Sequence, residues 1–221
     1  MKYRFLSHPI SHGMPVYGGK ADLNIKAKRA ISRGDAVNIY TFSMESHWGT
    51  HIDAPRHFFN NGKRIEDYPC GMWFFTIPEV VNIILKPSEI LNIGKWVKNI
   101  NPLCDILIFK SGWSAFRKHR KYIYQNPGIH PDVAIYLRKN YQNLRAIGID
   151  WLSVSSIKNR ELGREAHRAF LDSKNAGRPL FIVEDMYITS RLSGLRNIMI
   201  SPMVISGIDS APCTIAGEFD D

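Results

Sequence analysis

"DILIFK", residues 105–110, is an unbroken apolar run closed at each end by a charged residue. A run this short without polar alternation fits a strand covered on both faces, since a half-exposed strand alternates apolar with polar. Two further runs of the same kind follow, "RAIGID" at 145–150 and "PLFIVED" at 179–185. Between them lie two segments with helical spacing. "HPDVAIYLRKN" (130–140) places Pro131 where a first helical turn tolerates it, and "RELGREAHRAFLDS" (160–173) carries Ala166, Phe170 and Leu171 beside His167. Strand, helix, strand, helix, strand predicts an α/β fold with a mixed, partly parallel sheet.

Working outward, "NIMISPMVISGIDSAPCTIAGEF" (197–219) reads as further strands and turns that close the fold. Upstream, "VNIYTFSME" (37–45) alternates Val37, Ile39 and Thr41 with Asn38, Tyr40 and Phe42, which predicts a strand with both faces partly covered. The chain shows no repeat, low-complexity tract or linker, and 221 residues with 44% hydrophobic and 22% charged content suit one globular domain over 1–221.

Composition narrows the function classes. The longest apolar runs, "GMWFFTIP" and "EVVNIILK", fall far short of the roughly 20 residues that span a bilayer, and the start "MKYRFLSHPISHGMP" lacks a sustained apolar signal region. A cytoplasmic location without a membrane partner is the expectation. Cys70, Cys104 and Cys213 are odd in number and widely spaced, as reduced structural thiols are. The net charge of +9 calls for an anionic partner to be considered, and its densest cluster is "FRKHRKY" at 116–122. No nucleic-acid-binding motif accompanies that cluster, and short basic runs are more often solvated surface, so nucleic acid is not the expected partner and the charge could equally draw in an acidic small molecule.

The functional signal is concentrated in "ESHWGTHIDAPRHFF", residues 45–59, which places His47, His51, Asp53 and His57 within eleven positions. A helix would align His47 with His51, but Gly49 and Pro55 oppose a helix, and Asp53 would be turned about 200° from His51. On a strand, His47, Gly49, His51 and Asp53 share one face, with Gly49 leaving the space between the two imidazoles clear. Fully extended, His47 and His51 would stand roughly 13 Å apart, so the chain must curve at Gly49. Pro55 then ends the pairing and turns His57 back. Histidines beside aromatics such as Trp48 and Phe58 are commonly plain hydrogen-bonded side chains, but convergence on one face favours a metal site.

These residues carry a resemblance. "HWGTHIDAPRH" resembles the HxGTHxDxPxH motif of the cyclase-like metal-dependent hydrolases, the family that includes bacterial kynurenine formamidase and isatin hydrolase. "ISHGMPVYGG" (10–19), "AIGID", "HRAFL" followed by "IVED", and "GIDSAP" (207–212) extend the likeness over nearly the whole chain. The resemblance implies a swivelling β/β/α-type fold, with His47, His51 and Asp53 as metal ligands and His57 as proton donor and acceptor. It also implies that His167 and Glu184 complete a site for two divalent ions, zinc first and manganese second, in a homodimer or larger homo-oligomer. On the residues alone, His167 could equally be a buried hydrogen-bonding histidine and Glu184 the partner of an arginine, because buried charges are either paired or metal-bound.

The chemistry implied is hydrolysis of a small-molecule amide, an aryl formamide such as N-formylkynurenine, with a cyclic amide or ester as the close alternative. A non-catalytic protein binding an anion or nucleic acid is the reading from a different class. Tyr17, Trp48 and Phe58 are candidates for the walls of an aryl pocket, whereas Phe59 and Trp151 fit core packing better. Tyr17, Gly18 and Lys20 stand where the formamidases commonly carry tryptophan, proline and aspartate, and "DSKNAGRP" (172–179) lengthens the segment between His167 and Glu184. The resemblance therefore carries fold and metal chemistry further than it carries the substrate.

Overall fold

The three buried apolar runs form the centre of the sheet. In a computed structural model, residues 1–19, 21–174, 177–188 and 192–220 are described. Lys20 and part of the lengthened "DSKNAGRP" segment lie outside them. The strands are β1 (Lys2–Phe5), β2 (Asn24–Arg29), β3 (Ile39–Ser43), β4 (His51–Asp53), β5 (Phe74–Phe75), β6 (Pro78–Asn82), β7 (Ile90–Leu91), β8 (Ile106–Lys110), β9 (Gly128–Ile129), β10 (Ala146–Ile149), β11 (Phe181–Glu184), β12 (Leu195–Pro202) and β13 (Ser210–Phe219). The helices are α1 (Arg120–Tyr124), α2 (Pro131–Asn140) and α3 (Arg160–Leu171).

A nine-stranded sheet runs in the order β5-β12-β13-β4-β11-β10-β8-β6, with β1 also pairing β13. The pairs β6·β8, β8·β10 and β10·β11 are parallel, and β4 sits antiparallel between β11 and β13. The sheet is thus mixed, as the alternation of strand and helix predicts.

Period-two alternation divides the core between the two faces of this sheet. Leu107, Phe109, Ile147, Ile149 and Ile182 pack with residues of α2 and α3, while Ile52, Ile106, Ile108 and Val183 pack on the opposite side with Phe75, Ile198 and Ile215. Ile106, Leu107, Ile108 and Phe109 are all 0% exposed. Burial at about 1.5–3 kcal/mol per large apolar side chain makes this strand a principal source of stability. It follows that His51, Asp53 and Glu184, alternating with Ile52 and Val183, point to the helix-covered face. Helix α3 lies on that face and buries Gly163, Ala166, His167, Phe170 and Leu171 at amphipathic spacing.

Two expectations need correction. Strand β3 forms, but it pairs only with β2 as a separate two-stranded sheet, and every residue of both strands is exposed. No element of the described chain covers either face, because the hairpin stands off the main sheet. The regular strand expected through His47 is also shorter than the alternation suggests. It begins at His51, because Gly49 takes φ +71° and turns the chain. The basic run 116–122 is partly consumed inside the fold: Arg117 makes a two-pronged contact with buried Asp185, whose second partner is the Tyr122 hydroxyl. No helix among the described residues is long and apolar enough to cross a membrane, and Cys70, Cys104 and Cys213 are all free.

Candidate metal centre

The register of β4 against β11 assembles the heart of the site. Glu184 lies directly across from His51, and Asp53 lies across from Ile182 on one side and Ser210 on the other. The left-handed turn at Gly49 then folds His47 over this strand, so its ring centroid comes within 5.3 Å of that of His51. A Cβ at Gly49 would meet only Ile10 and Met14 at 3.6 and 3.7 Å, ordinary contact distances. The glycine is therefore required by its backbone angle rather than by space between the ligands. Pro55 opens a 3-10 turn, Pro55–His57, which brings His57 back to within 4.1 Å of the His47 ring, centroid to centroid. His167 descends from α3 on the other side. Gly163, one turn earlier, lets the helix lie against the loop before it, since a Cβ there would stand 2.6 Å from the Cα of Ser155.

The donor atoms converge. His51 Nε2 is 3.6 Å from Asp53 Oδ1 and 3.5 Å from Glu184 Oε2, and His167 Nε2 is 3.4 Å from Glu184 Oε1 and 3.9 Å from Asp53 Oδ2. His47 Nδ1 is 3.1 Å from Asp53 Oδ1. Two donors each about 2.1 Å from one tetrahedral ion stand about 3.4 Å apart, so most of these separations are long for hydrogen bonds but right for shared ligation. Among the described residues neither oxygen of Asp53, only 1% exposed, makes a hydrogen bond of good geometry, the His47 imidazole at 3.1 Å being its nearest charge partner. An uncompensated carboxylate in that position would be strongly destabilising.

Ligand groups can be drawn as His47, Asp53 and His57, and as His51, Asp53 and Glu184, with Asp53 common to both. The donor set of imidazoles and carboxylates fits a divalent cation. Second contacts fix the donors: Nδ1 of His51 donates to the Gly49 carbonyl at 2.9 Å and Nδ1 of His167 to the Gly163 carbonyl at 2.8 Å, which leaves each Nε2 as a lone pair facing the carboxylates. Glu184 Oε1 accepts from the Ser153 hydroxyl and the Val154 amide at 3.0 and 2.7 Å.

The electrostatics follow from the crowding of acids. Burial alone would lower the His47 imidazole, but Asp53, Asp209 and Glu184 together raise it to about 9. His167 is likewise raised, its burial outweighed by Glu184 and Asp53. Asp53 is held well below the usual carboxylate range, since its burial is outweighed by His47, His51 and His57. The carboxylates thus draw positive charge onto this cluster, whether as protons on the imidazoles or as a bound cation.

These groups form the floor of an open pocket of about 270 Å³. Tyr17 and Phe58 line it as the sequence suggests, and Phe58 stacks on His167 with centroids 5.1 Å apart. Trp48 does not line it. This candidate wall residue is buried with Met14, Val16 and Leu23 in a small core of its own, because the turn at Gly49 points it away from the floor. Trp151 and Phe59 pack in the main core.

Three neighbours escape a reading of the sequence. Asp209 accepts from His57 Nδ1 at 2.8 Å, and its carboxyl is lowered chiefly by that bond. Its only local signal is an acid between Ile208 and Ser210 in an apolar segment. Arg160 and Arg164 also line the pocket, and their i, i+4 spacing ahead of His167 could have flagged them.

Comparison with known proteins gives a consistent picture. A family model described as "Putative cyclase" matches residues 5–156. The kynurenine formamidase of Geobacillus thermodenitrificans (strain NG80-2) is 25% identical over 222 residues, covering 96% of this chain and 94% of that protein. That of Bacillus cereus (strain ATCC 10987 / NRS 248) is 25% identical over 209 residues, covering 94% and 92%. Among solved structures, isatin hydrolase A from Labrenzia aggregata bound to benzyl benzoate superposes with a TM-score of 0.77 at 17% identity, covering 99% of this chain and 94% of that one. A predicted metal-dependent hydrolase from Bacillus stearothermophilus gives 0.73 at 21%, covering 98% and 97%.

Proposed function

The chain belongs to the cyclase family, and from that premise we propose that it is a metal-dependent hydrolase of small-molecule amides, with an aryl formamide such as N-formylkynurenine as substrate. The observation that carries this reading is Asp53, a buried carboxylate facing the imidazoles of His47, His51 and His167 and shared by two groups of possible ligands. His47, His51, Asp53, His167 and Glu184 would hold two divalent ions, zinc or manganese. Bound there, such ions supply Lewis acidity, drawing the pKa of a water toward ~7 and polarising a carbonyl oxygen.

The chain's own residues do the rest. His57 stands at the edge of the floor with Nδ1 committed to Asp209, so Nε2 is free to give a proton to the departing amine and take one back. Tyr17 and Phe58 line the pocket with aromatic surface that suits an aryl group. The likeness of the relatives named as kynurenine formamidases supports the substrate class.

The working unit proposed is a cytoplasmic homodimer. Its support is the β2–β3 hairpin, whose Ile25, Ile39, Tyr40 and Phe42 are 37–61% exposed; an isolated two-stranded hairpin is marginal in water and gains stability by packing on another surface.

The test is hydrolysis of N-formylkynurenine by protein supplemented with zinc or manganese, beside isatin as a cyclic amide. Formate release is the expected result. Opening of isatin alone would move the assignment to cyclic amides, and turnover of neither would remove the hydrolase reading.

A further inference from the structure

Helix α3 supplies more to the pocket than His167. Arg160, Arg164 and Arg168 recur at i, i+4 and i+8 and so form one stripe beside the buried face. Arg160 and Arg164 line the pocket. The guanidinium of Arg160 lies 5.9 Å from the centroid of Tyr17, and that of Arg168 lies 5.8 Å from Phe58, the two aromatic walls.

This arrangement is unfavourable for the protein by itself. Like charges one turn apart repel, and Arg160 occupies the first position of the helix, where the backbone dipole disfavours a cation. The N-cap residue Asn159 makes no side-chain bond to the first turn. Arg164 pairs with exposed Glu161, whereas Arg160 has no carboxylate partner among the described residues. Divalent ions on the floor would add positive charge below the same rim. A cationic rim above a cationic floor calls for an anionic occupant.

Resting on the hydrolase reading above, we infer that Arg160 and Arg164 bind a carboxylate of the substrate, so that the pocket selects aryl amides bearing an acid group over their neutral counterparts. The amide then faces the ligand cluster, the ring lies between Tyr17 and Phe58, and the carboxylate reaches the stripe. A guanidinium laid over an aromatic face keeps its N–H edge free, and that edge matches a carboxylate in two-pronged fashion. Arg168, further along the helix over Phe58, braces the wall.

The experiment compares ortho-, meta- and para-formamidobenzoate, each against its methyl ester, with manganese-loaded wild type and the Arg160→Gln/Arg164→Gln double variant. Both residues are exposed, so folding should survive, and a thermal melt checks it. For at least one isomer, wild type should prefer acid to ester at least about ten-fold in kcat/KM, mainly through KM, because hydrogen bonds to charged groups are worth that much. The double variant should bring the ratio to within about two-fold, and Arg164→Lys should restore only part of it. A wild-type ratio near one for all isomers, or a ratio unchanged in the variant, overturns the inference. If neither acid nor ester is hydrolysed, the charge preference is read from binding, and the hydrolase reading is judged separately on N-formylkynurenine and isatin. Calorimetry with the matching aminobenzoates and their methyl esters should then show the same preference in wild type and its loss in the variant, and equal binding overturns it.

Discussion

His57 Nδ1 donates to Asp209 Oδ2 across 2.8 Å, which joins a residue of the 3-10 turn after β4 to one that immediately precedes β13. The bond fixes the ring's tautomer and aims Nε2 at the pocket. Asp209→Asn should therefore lower kcat by about 10–100-fold with little change in KM, as loss of an orienting partner does. His57→Ala should lower kcat by 10²–10⁴, the usual share of a general acid–base, while bound metal stays at the wild-type level. Loss of a metal equivalent from the alanine variant would instead make His57 a ligand. Metal analysis beside steady-state kinetics decides it.

Asp53 belongs to both ligand groups, so its removal should affect both ions together. Asp53→Asn is expected to hold well under one equivalent of manganese where wild type holds about two. Wild type should also gain about 2.7 kcal/mol of stability per bound ion at a hundred-fold excess of manganese over Kd, whereas the variant gains almost none. Urea melts with and without manganese check this; equal stabilisation of both proteins would contradict the shared-ligand role.

Gly49 turns the chain with φ +71°. An alanine fits the space but not the backbone, so Gly49→Ala should cost about 1–2 kcal/mol and displace His47, weakening metal binding beyond the loss of stability. Asparagine, which tolerates left-handed geometry better, should restore part of both. Melts of metal-free protein together with metal titrations separate the two effects.

His8 offers a pH test away from the ligands. Its burial, opposed by Asp185 and assisted by Arg117, pushes the imidazole down to about 4 from 6.5. The unfolded chain then takes up a proton below pH 6.5 that the fold refuses until near pH 4. His8 therefore favours the fold above pH 6.5, and that advantage is lost as pH falls toward 4. Relative to His8→Asn, wild type should lose about 2 kcal/mol between pH 7 and 4.5. A constant difference in urea midpoints between the two proteins would refute the shift.

The exposed hairpin gives a test of assembly. Tyr40→Asp with Phe42→Asp should convert a dimer to a monomer in sedimentation velocity, because both side chains are exposed in the isolated chain, at 61% and 59%, and a charge in a buried interface is costly. Unchanged sedimentation would exclude the hairpin from the contact.

Much of the fold was legible because its central strands are apolar without interruption. Ile106–Lys110, Ala146–Ile149 and Phe181–Glu184 could be placed from periodicity alone, and α3 from the spacing around His167. The ligand cluster was legible as a motif, but its geometry was not: alternation extended the strand through His47, whereas the backbone turns at Gly49, and a positive φ leaves no trace in a hydropathy pattern. The same turn removed Trp48 from the pocket. Asp209, Arg160 and Arg164 were missed because their roles depend on where β13 and α3 dock, which is a matter of long-range register. For β3, alternation announced a strand but could not say whether anything covers it.

The position of β4 between β11 and β13 orders events in the life of the molecule. Residues 51–53 leave the ribosome well before either neighbouring strand, and His167 and Glu184 follow more than a hundred residues later. At synthesis rates of about 5–20 residues per second, the nascent chain spends seconds presenting His47, His51 and Asp53 without Glu184 and the helix carrying His167. A cation captured in that interval would meet an incomplete coordination sphere and an open-sided strand. On the proposed metal-dependent reading, the ions are thus expected to enter after translation, into a folded cage rather than onto a growing chain.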